Sequence, residues 1–205
     1  NPLTTLREEY NTLKFKFGGN FDTRDITPYS TNGSLINFFY ETSQNRLGAD
    51  ISYSKLFLNY EQYFSLGRLH TLRPRFIFGS ADRTTPLPEF FTIGGEDSFY
   101  GMVEDEATGK QILELSLEYR FKSPYKLFFD TYFKTRYDLG RIWESTTDVK
   151  FKDLRHGIGA SVCFDTPVGE SSFSVGKTFL IQRGLTQDSF VFGPYTYYFS
   201  IGYKF

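Results

Sequence analysis

Charged side chains recur at every second position along residues 111–122 and 127–140 of this 205-residue chain. The candidate wall residues in this register are Glu114, Glu118, Arg120, Asp130, Lys134, Arg136, Asp138 and Gly140. Because successive side chains of a strand point to opposite faces, the spacing predicts a charged sheet face opposed by an apolar one. Such side chains can form ion pairs around a wet interior, and they carry too much charge for the packed core of a soluble sandwich.

Residue types that often carry catalysis or bind metals are few and scattered. His70, His156 and Cys163 occur in separate stretches with no nucleophile motif beside them, and no His and Cys spacing suits a metal. Gly94 and Gly95 are not followed by a helical or phosphate-binding pattern. We therefore predict no catalytic residue, no metal site and no cofactor, and we interpret the histidines as interfacial or wall residues.

The composition indicates an all-β protein. Aromatic residues make up 20% of the chain, with 24 Phe and 15 Tyr, and such residues fit a pleated surface better than a helix. No apolar run approaches the roughly 20 residues of a membrane helix. The net charge of −1 argues against a nucleic-acid partner, and one cysteine excludes an internal disulfide.

Alternation predicts nine strands that are long enough to cross a membrane. They cover residues 13–22, 33–43, 48–64, 69–80, 111–122, 127–140, 154–166, 171–181 and 193–205. Many reach the ~9–11 residues of a tilted membrane strand, above the ~5–6 of ordinary sheets. A soluble barrel would share the alternation, but Tyr119, Phe121 and Tyr137 lie near strand ends, where membrane barrels carry aromatic girdles. We predict an antiparallel transmembrane β-barrel.

The last predicted strand has an apolar or aromatic face that ends in Tyr203 and Phe205. On a soluble protein this face would form a sticky exposed edge, whereas a closing strand in lipid has its edge paired. The ending resembles the assembly signal of bacterial outer-membrane barrels. It predicts a bacterial outer-membrane location, with membrane lipid and the barrel assembly machinery as partners.

Connection lengths predict the orientation. The short connections are residues 65–68, 123–126 and 167–170, and the long ones are 81–110, 141–153 and 182–192. Outer-membrane barrels have short periplasmic turns and long external loops, and single-chain bacterial barrels have an even number of strands. Nine strands counted back from a periplasmic end start outside the cell. We therefore expect further strands upstream and interpret the chain as the C-terminal portion of a larger barrel.

Four further motifs follow one another along the chain. They are Phe21-Asp22-Thr23-Arg24-Asp25 with Pro28 and Gly33; Phe91 to Met102, which contains Gly94, Gly95, Ser98, Tyr100 and Gly101; Tyr137 to Trp143; and Gly157-Ile158-Gly159 leading to Asp165-Thr166-Pro167-Val168-Gly169. In order and spacing they resemble the bacterial surface antigen family of outer-membrane assembly and translocation barrels. The resemblance covers residues 21–205.

The resemblance implies one domain over residues 1–205, holding about nine strands of a barrel of roughly 16. It also implies that the external loop 81–110 folds back into the lumen, with Gly94, Gly95, Ser98, Tyr100 and Gly101 as its motif. Tyr100 stands where the family motif has an arginine. Either the loop is held less tightly, or the acidic wall residues are neutralised from the wall itself. The acids are Glu114, Glu118 and Asp138, and the cations are Arg120, Arg136 and Lys134.

Three functions fit these expectations. The first is a translocation, insertion or secretion pore that acts on a polypeptide client. The second is the membrane-anchoring barrel of a patatin-like phospholipase whose catalytic domain lies upstream, because departures from the loop arginine also resemble those barrels. The third is a passive porin or adhesin. In each case this segment itself is not an enzyme.

Overall fold

The computed structural model describes residues 11–126, 128–145, 147, 149, 151, 154–182 and 189–202. Nine strands form one antiparallel sheet in chain order. They are β1 (Lys14–Asp22), β2 (Gly33–Ser43), β3 (Tyr53–Ser65), β4 (His70–Ala81), β7 (Gln111–Lys122), β8 (Asp130–Trp143), β9 (Arg155–Thr166), β10 (Gly169–Gln182) and β11 (Ser189–Gly202). The predictions of an all-β fold and of nine antiparallel strands are confirmed.

A second, two-stranded sheet lies in the connection between β4 and β7. It pairs β5 (Phe91–Ile93) with β6 (Ala107–Gly109). Short 3-10 turns cover Asn45–Leu47 and Leu87–Glu89. Among the described residues, no helix has the length and apolarity needed to cross a membrane.

Three strands begin three or more residues away from their predicted starts. β3 begins at Tyr53 rather than 48, because the turn at Asn45–Leu47 ends at Gly48, whose φ of 95° is left-handed. β8 begins at Asp130, after a turn closed by the hydrogen bond from Ser123 N to Thr131 O. β11 begins at Ser189 rather than 193, and the Gly-Pro pair that we took for the start of a strand lies inside it, at a β-bulge.

The nine strands divide their side chains between two faces. The outer face carries exposed apolar and aromatic residues, such as Leu117 on β7 and its partner Tyr137 on β8. The inner face carries buried polar and charged residues, such as Glu118 and its partner Arg136, each 4% exposed. This arrangement puts the apolar stripes where hydrocarbon would lie, as in outer-membrane barrels.

Contacts across the inner face show that the sheet curves strongly. Tyr29, in the turn between β1 and β2, stacks on Tyr132 of β8 with ring centroids 3.7 Å apart. β3, β4 and β7 lie between β2 and β8, so a flat sheet would separate those two strands by roughly 19 Å at ~4.8 Å per strand. The sheet therefore curls around an interior that its inner face lines.

The connection from Asp82 to Lys110, hereafter the loop, packs on the inner face through an apolar cluster. Its contributors from the loop are Phe91, Ile93, Phe99 and Met102, and those from the sheet are Ile77, Ala81 and Ile112, with Phe39, Phe57 and Ile142 packed around them. Burial of these side chains stabilises the docked loop by removing apolar surface from water. The inner face is thus apolar where the loop hairpin lies and charged elsewhere.

Candidate functional site

The loop tip, Phe99–Met102, lies in a cradle of glycines on β9 and β10. Phe99 and Tyr100 are 0% and 3% exposed. A Cβ added to Gly159 would lie 2.6 Å from the Tyr100 ring, and one added to Gly157 would lie 2.6 Å from the Tyr100 carbonyl oxygen. On β10, a Cβ on Gly176 would lie 2.5 Å from Gly101 N. Larger residues at these positions would exclude the tip.

Tyr100 makes three distinct polar contacts with the wall. Its backbone N–H donates to Asp138 Oδ2 on β8 at 2.8 Å, and its hydroxyl hydrogen-bonds Ser161 Oγ on β9. The guanidinium carbon of Arg136 lies 4.0 Å from the centroid of the Tyr100 ring, a cation–π geometry. The tyrosine is therefore held by its backbone, its ring and its hydroxyl.

The next two residues bind the last strand through their backbone. Gly101 N donates to Tyr198 Oη at 2.8 Å, and that hydroxyl donates to Met102 O at 2.7 Å. Thr196 Oγ1 donates to Gly101 O at 3.1 Å. Gly101 has a φ of 83° and a Cβ there would lie 2.4 Å from the Lys177 carbonyl carbon, so both conformation and space require glycine. The tip thus links β8, β9, β10 and β11.

The residues before the tip add bonds to four strands. Ser172 and Ser174 of β10 donate to Glu96 Oε1 at 2.8 and 2.6 Å. Arg75 of β4 donates to Asp97 O at 2.5 Å. Ser98 O accepts from Arg136 at 2.9 Å, and Ser98 Oγ donates to Glu114 Oε2 of β7 at 3.3 Å. The approach to the tip is therefore bonded along its length.

Wall cations face the three acidic residues that the sequence singled out. Arg136 bonds Asp138 at 3.0 Å, and Ser116 Oγ also donates to that carboxylate. Glu118 is bracketed by Arg120 at 3.1 Å and Arg73 at 3.0 Å. Glu114 lies 3.9 Å from Arg75. Since an unpaired buried charge is costly, the close pairs let Asp138 and Glu118 remain charged without a cation from the loop.

The remaining candidate wall residues also lie on the inner face. Lys134 forms its close ion pair with Glu170 of β10 and also attracts Glu118 electrostatically. Asp130 lies at the start of β8, 2.9 Å from both Lys122 and Lys126. At Gly140, a Cβ would lie 2.5 Å from Leu113 O, which places its backbone tightly against β7.

The part of the loop that precedes the tip, around Glu89, is bound to strands β1–β3 at the other edge of the sheet. Glu89 forms an ion pair with Lys14 of β1 and a second with Lys55 Nζ of β3 at 2.9 Å, and Lys55 also lies 3.4 Å from Glu41 of β2. Burial alone would raise the pKa of Glu89, but hydrogen bonds from Lys14 and Lys55 hold that pKa below its ordinary value. The loop therefore contacts both β1–β3 and β8–β11.

A second segment, the turn 23–32 between β1 and β2, also enters the interior. Tyr29 is 5% exposed and packs with Tyr132 and the buried Cys163. The cations of Arg120 and Lys134 lie 5.5 and 5.4 Å from the Tyr29 ring centroid, and Arg120 also donates to Ser30 O at 3.2 Å. This turn approaches the wall from the end of the sheet opposite the loop.

Hydrogen bonds inside the turn fix its shape. The Asp25 carboxylate accepts from Thr31 N at 2.8 Å, from Thr31 Oγ1 at 2.5 Å and from Ile26 N at 2.9 Å. Burial would raise the pKa of Asp25, but these bonds and one from Asn32 hold that pKa well below its usual range. The ionised carboxylate is thus part of the turn.

Some predicted residues lie elsewhere or beyond what the structure describes. His70 and His156 are on the outer face, where each Nδ1 lies 2.6 Å from a tyrosine hydroxyl, that of Tyr119 or Tyr137. Tyr203 and Phe205, the predicted assembly signal, fall outside the described residues. The sequence named Gly157 and Gly159 only as part of a family motif and did not single out Gly176, so their contact with the loop tip was not predicted, although glycines at alternate strand positions signal a close approach.

Comparisons with known proteins agree with this architecture. Over 173 residues the chain is 25% identical to the outer membrane protein assembly factor BamA of Nitratidesulfovibrio vulgaris, covering 76% of this chain and 21% of that protein. The crystal structure of BamA from Haemophilus ducreyi lacking POTRA domains 1-3 superposes with a TM-score of 0.69 at 16% identity, over 90% of this chain and 42% of that one. The second likeness concerns the fold.

The chain therefore spans about a fifth of the length of the first relative. The model of the Omp85 superfamily domain matches residues 3–205, nearly the whole sequence. This match confirms the family resemblance of the four motifs and the outer-membrane location. The chain belongs to the Omp85 superfamily of outer-membrane β-barrel proteins.

Proposed function

We propose that this segment supplies wall strands and an internal loop to a pore that inserts polypeptides into the outer membrane or passes them across it. One observation carries the proposal: the loop tip is seated in the glycine cradle and bonded to β8, β9 and β11. A passive porin has a water-filled interior, whereas this loop crosses the inner face. The arrangement favours a machine with a structured interior over an open channel.

The docked tip acts as an internal brace in this proposal. Its wall partners are Asp138 on β8, Ser161 on β9, Gly176 on β10 and Tyr198 on β11. A single rigid contact with four consecutive strands holds them in fixed register and curvature. We propose that the brace maintains this part of the wall while a client polypeptide engages the barrel.

The partners follow from the same hypothesis. The relative from Nitratidesulfovibrio vulgaris is named as an assembly factor for outer membrane proteins. By extension, the client of this protein would be an unfolded outer-membrane polypeptide, and membrane lipid and the barrel assembly machinery would be its other partners. The matches described above give no support to the alternative of a patatin-like phospholipase anchor. We propose no catalytic role for the segment.

A reconstitution experiment tests the function. The full-length parent protein is placed in vesicles, and an unfolded outer-membrane barrel protein is added from the periplasmic side. We expect folded, protease-resistant client to accumulate in the membrane for insertion, or protected client to accumulate in the vesicle interior for translocation. Vesicles that conduct ions but yield neither product would contradict the proposal and favour a passive pore.

A crosslinking experiment tests the brace. In a Cys163→Ser background of the full-length protein, Tyr100→Cys is combined with Asp138→Cys on the inner face. The matched control combines Tyr100→Cys with Leu139→Cys, the next residue of β8, on the opposite face. We expect a disulfide in membranes for the first pair alone. Crosslinking of the control pair equal to that of the first pair would contradict a docked tip.

A further inference from the structure

Lys177 on β10 places a cation on the outer face. Its chain neighbours Gly176 and Thr178 are buried on the inner face, so Lys177 points the other way. The ammonium lies 4.2 Å from the ring centroid of Tyr195 and 5.1 Å from that of Phe192, and these rings are 63% and 61% exposed. Within the described part of the chain, no carboxylate forms an ion pair with it. The charge therefore lacks a protein counter-ion there.

A bulge in the last hairpin creates this arrangement. The register pairs Lys177 with Tyr195 and Phe179 with Phe192, so Gly193 and Pro194 together oppose the single residue Thr178. Two residues opposite one is the definition of a β-bulge. Because of the extra residue, Phe192 and Tyr195 both point outward and flank the lysine.

A cation on a lipid-facing surface costs free energy unless its charged group reaches polar partners. A lysine costs most at the middle of the hydrocarbon and little near the head groups, where its flexible chain brings the ammonium to polar partners. Lys177 lies just past the middle of β10 (Gly169–Gln182), but its partner Ile158 is three residues from the end of β9 at Arg155, which the loop lengths predict to be external. The position suits a charge that reaches the head groups of the outer leaflet.

A second polar group lies beside the lysine. Lys177 pairs with Ile158 and Phe179 with His156, so His156 and Lys177 are diagonal neighbours, a relation that typically spans ~7–8 Å. His156 stacks on Phe179 with centroids 4.7 Å apart, and its Nδ1 faces the Tyr137 hydroxyl at 2.6 Å. The bond to the tyrosine occupies Nδ1, so Nε2 is the ring nitrogen that remains for a ligand.

We propose that Lys177 and His156 bind a phosphate group of a lipid in the outer leaflet, with Phe192 and Tyr195 packing beside it. The proposed lipid is a phosphorylated glycolipid of the lipid A type, whose phosphates lie in that leaflet. The ammonium supplies charge and His156 Nε2 supplies a hydrogen bond to a phosphate oxygen. The aromatic rings contact the upper acyl chains, as interfacial aromatic residues do.

Native mass spectrometry of the full-length protein tests the assignment. The protein is released from detergent in the presence of diphosphoryl lipid A, phosphatidylglycerol or phosphatidylcholine, and the retained lipid is counted. We expect preferential retention of lipid A, weakened about fivefold by Lys177→Gln, as befits the loss of one cation near a charged surface. Lys177→Arg should keep most of the retention.

Control variants separate the site from general charge effects. Lys126→Gln removes a cation from a periplasmic turn, where the side chain is 73% exposed, and should leave retention unchanged. His156→Phe keeps the stacked ring and should cause a smaller loss than Lys177→Gln. Equal losses in Lys126→Gln and Lys177→Gln would overturn the site. Retention of phosphatidylglycerol as strong as that of lipid A would overturn the choice of lipid.

Discussion

Two tyrosines enter the interior from opposite ends of the barrel, and the wall holds them differently. Tyr100, at the loop tip, lies under Arg136, donates its backbone N–H to Asp138 and hydrogen-bonds Ser161. Tyr29, in the turn 23–32, stacks on Tyr132 beneath two cations, but its buried hydroxyl has no partner among the described residues. Both rings are buried and lie next to cations. Of the two tyrosines, only Tyr100 has a backbone N–H and a hydroxyl that hydrogen-bond to the wall in the described structure.

The difference teaches what makes each contact specific. A glycine cradle and backbone bonds accept one shape in one position, because a hydrogen bond weakens steeply away from its best geometry. A ring stacked on a ring tolerates sliding, and its attraction depends mainly on buried area. We therefore expect the loop tip to respond sharply to small wall changes and the turn 23–32 to respond weakly.

Removal of Asp138 should cause the largest loss of stability of the docked loop tip. Asp138→Ala deletes the acceptor for Tyr100 N and leaves the buried Arg136 without its counter-ion, a loss of about 3–5 kcal/mol. We expect weaker resistance to urea in detergent micelles and faster proteolysis within the loop. Asp130→Ala is the control, because its partner Lys126 is largely exposed and such pairs contribute about 0–1 kcal/mol. Equal effects of the two variants would contradict a special role for the docked tip.

Filling the cradle should have the next largest effect. Gly159→Val places carbon atoms where the Tyr100 ring lies, and overpacking of this kind costs about 1–3 kcal/mol. Ala160→Val, on the outer face of the same strand, adds similar volume where lipid can yield. We expect loop proteolysis to rise for the first variant only. A rise for both would locate the cause in β9 rather than in the cradle.

Removal of one hydroxyl compares the two tyrosines directly. Tyr100→Phe loses the bond to Ser161 and should reduce the free energy of unfolding by about 1 kcal/mol. Tyr29→Phe removes a buried hydroxyl that has no described partner, so stability should stay equal or rise slightly. Urea unfolding of the two variants in the same detergent measures the difference. A larger loss at Tyr29 would reverse the comparison.

The smallest expected effect is the release of the Glu89 segment of the loop at acidic pH. The pKa of Glu89 is lowered, so its ion pairs with Lys14 and Lys55 contribute fully above the ordinary glutamate pKa of about 4.3 and are lost as pH falls through the lowered value. A dye attached at the exposed position of Leu87 reports the release. Glu89→Gln should give a flat response below pH ~4. An unchanged acid response in that variant would exclude Glu89 as the cause.

The strands were predictable because their signal is local. Leu113, Leu115 and Leu117 alternate with Glu114, Ser116 and Glu118, and that alternation alone assigns each side chain to a face. The docked tip was expected through the family motif, but its partners Tyr198 and Ser161 depend on contacts between distant segments. The entry of Tyr29 had no local signal, since a turn sequence does not reveal which strand it will contact.

Arginines of β4 were missed for a related reason. Pro74 interrupts the pattern of that strand, so Arg73 and Arg75 were not counted as wall cations, although they face Glu118 and Glu114. Ile112 lies on the same face of β7 as Glu114 and Glu118, so the alternation predicted a polar environment for it and the apolar part of the inner face was not expected. Alternation assigns side chains to faces, but neighbouring strands decide the local polarity of each face.

The peptide bond between Lys177 and Thr178 contacts the loop tip on the inner face and carries a lipid-facing side chain on the outer face. Gly101 presses against it from within, and the Lys177 side chain extends from it toward the surrounding bilayer. Among the residues that the structure describes, no second layer of protein separates the two environments at this point. A change in membrane composition that displaces this peptide bond would therefore also displace Gly101 and the loop tip. Movement of the loop tip would in turn change the position of Lys177 relative to the lipids.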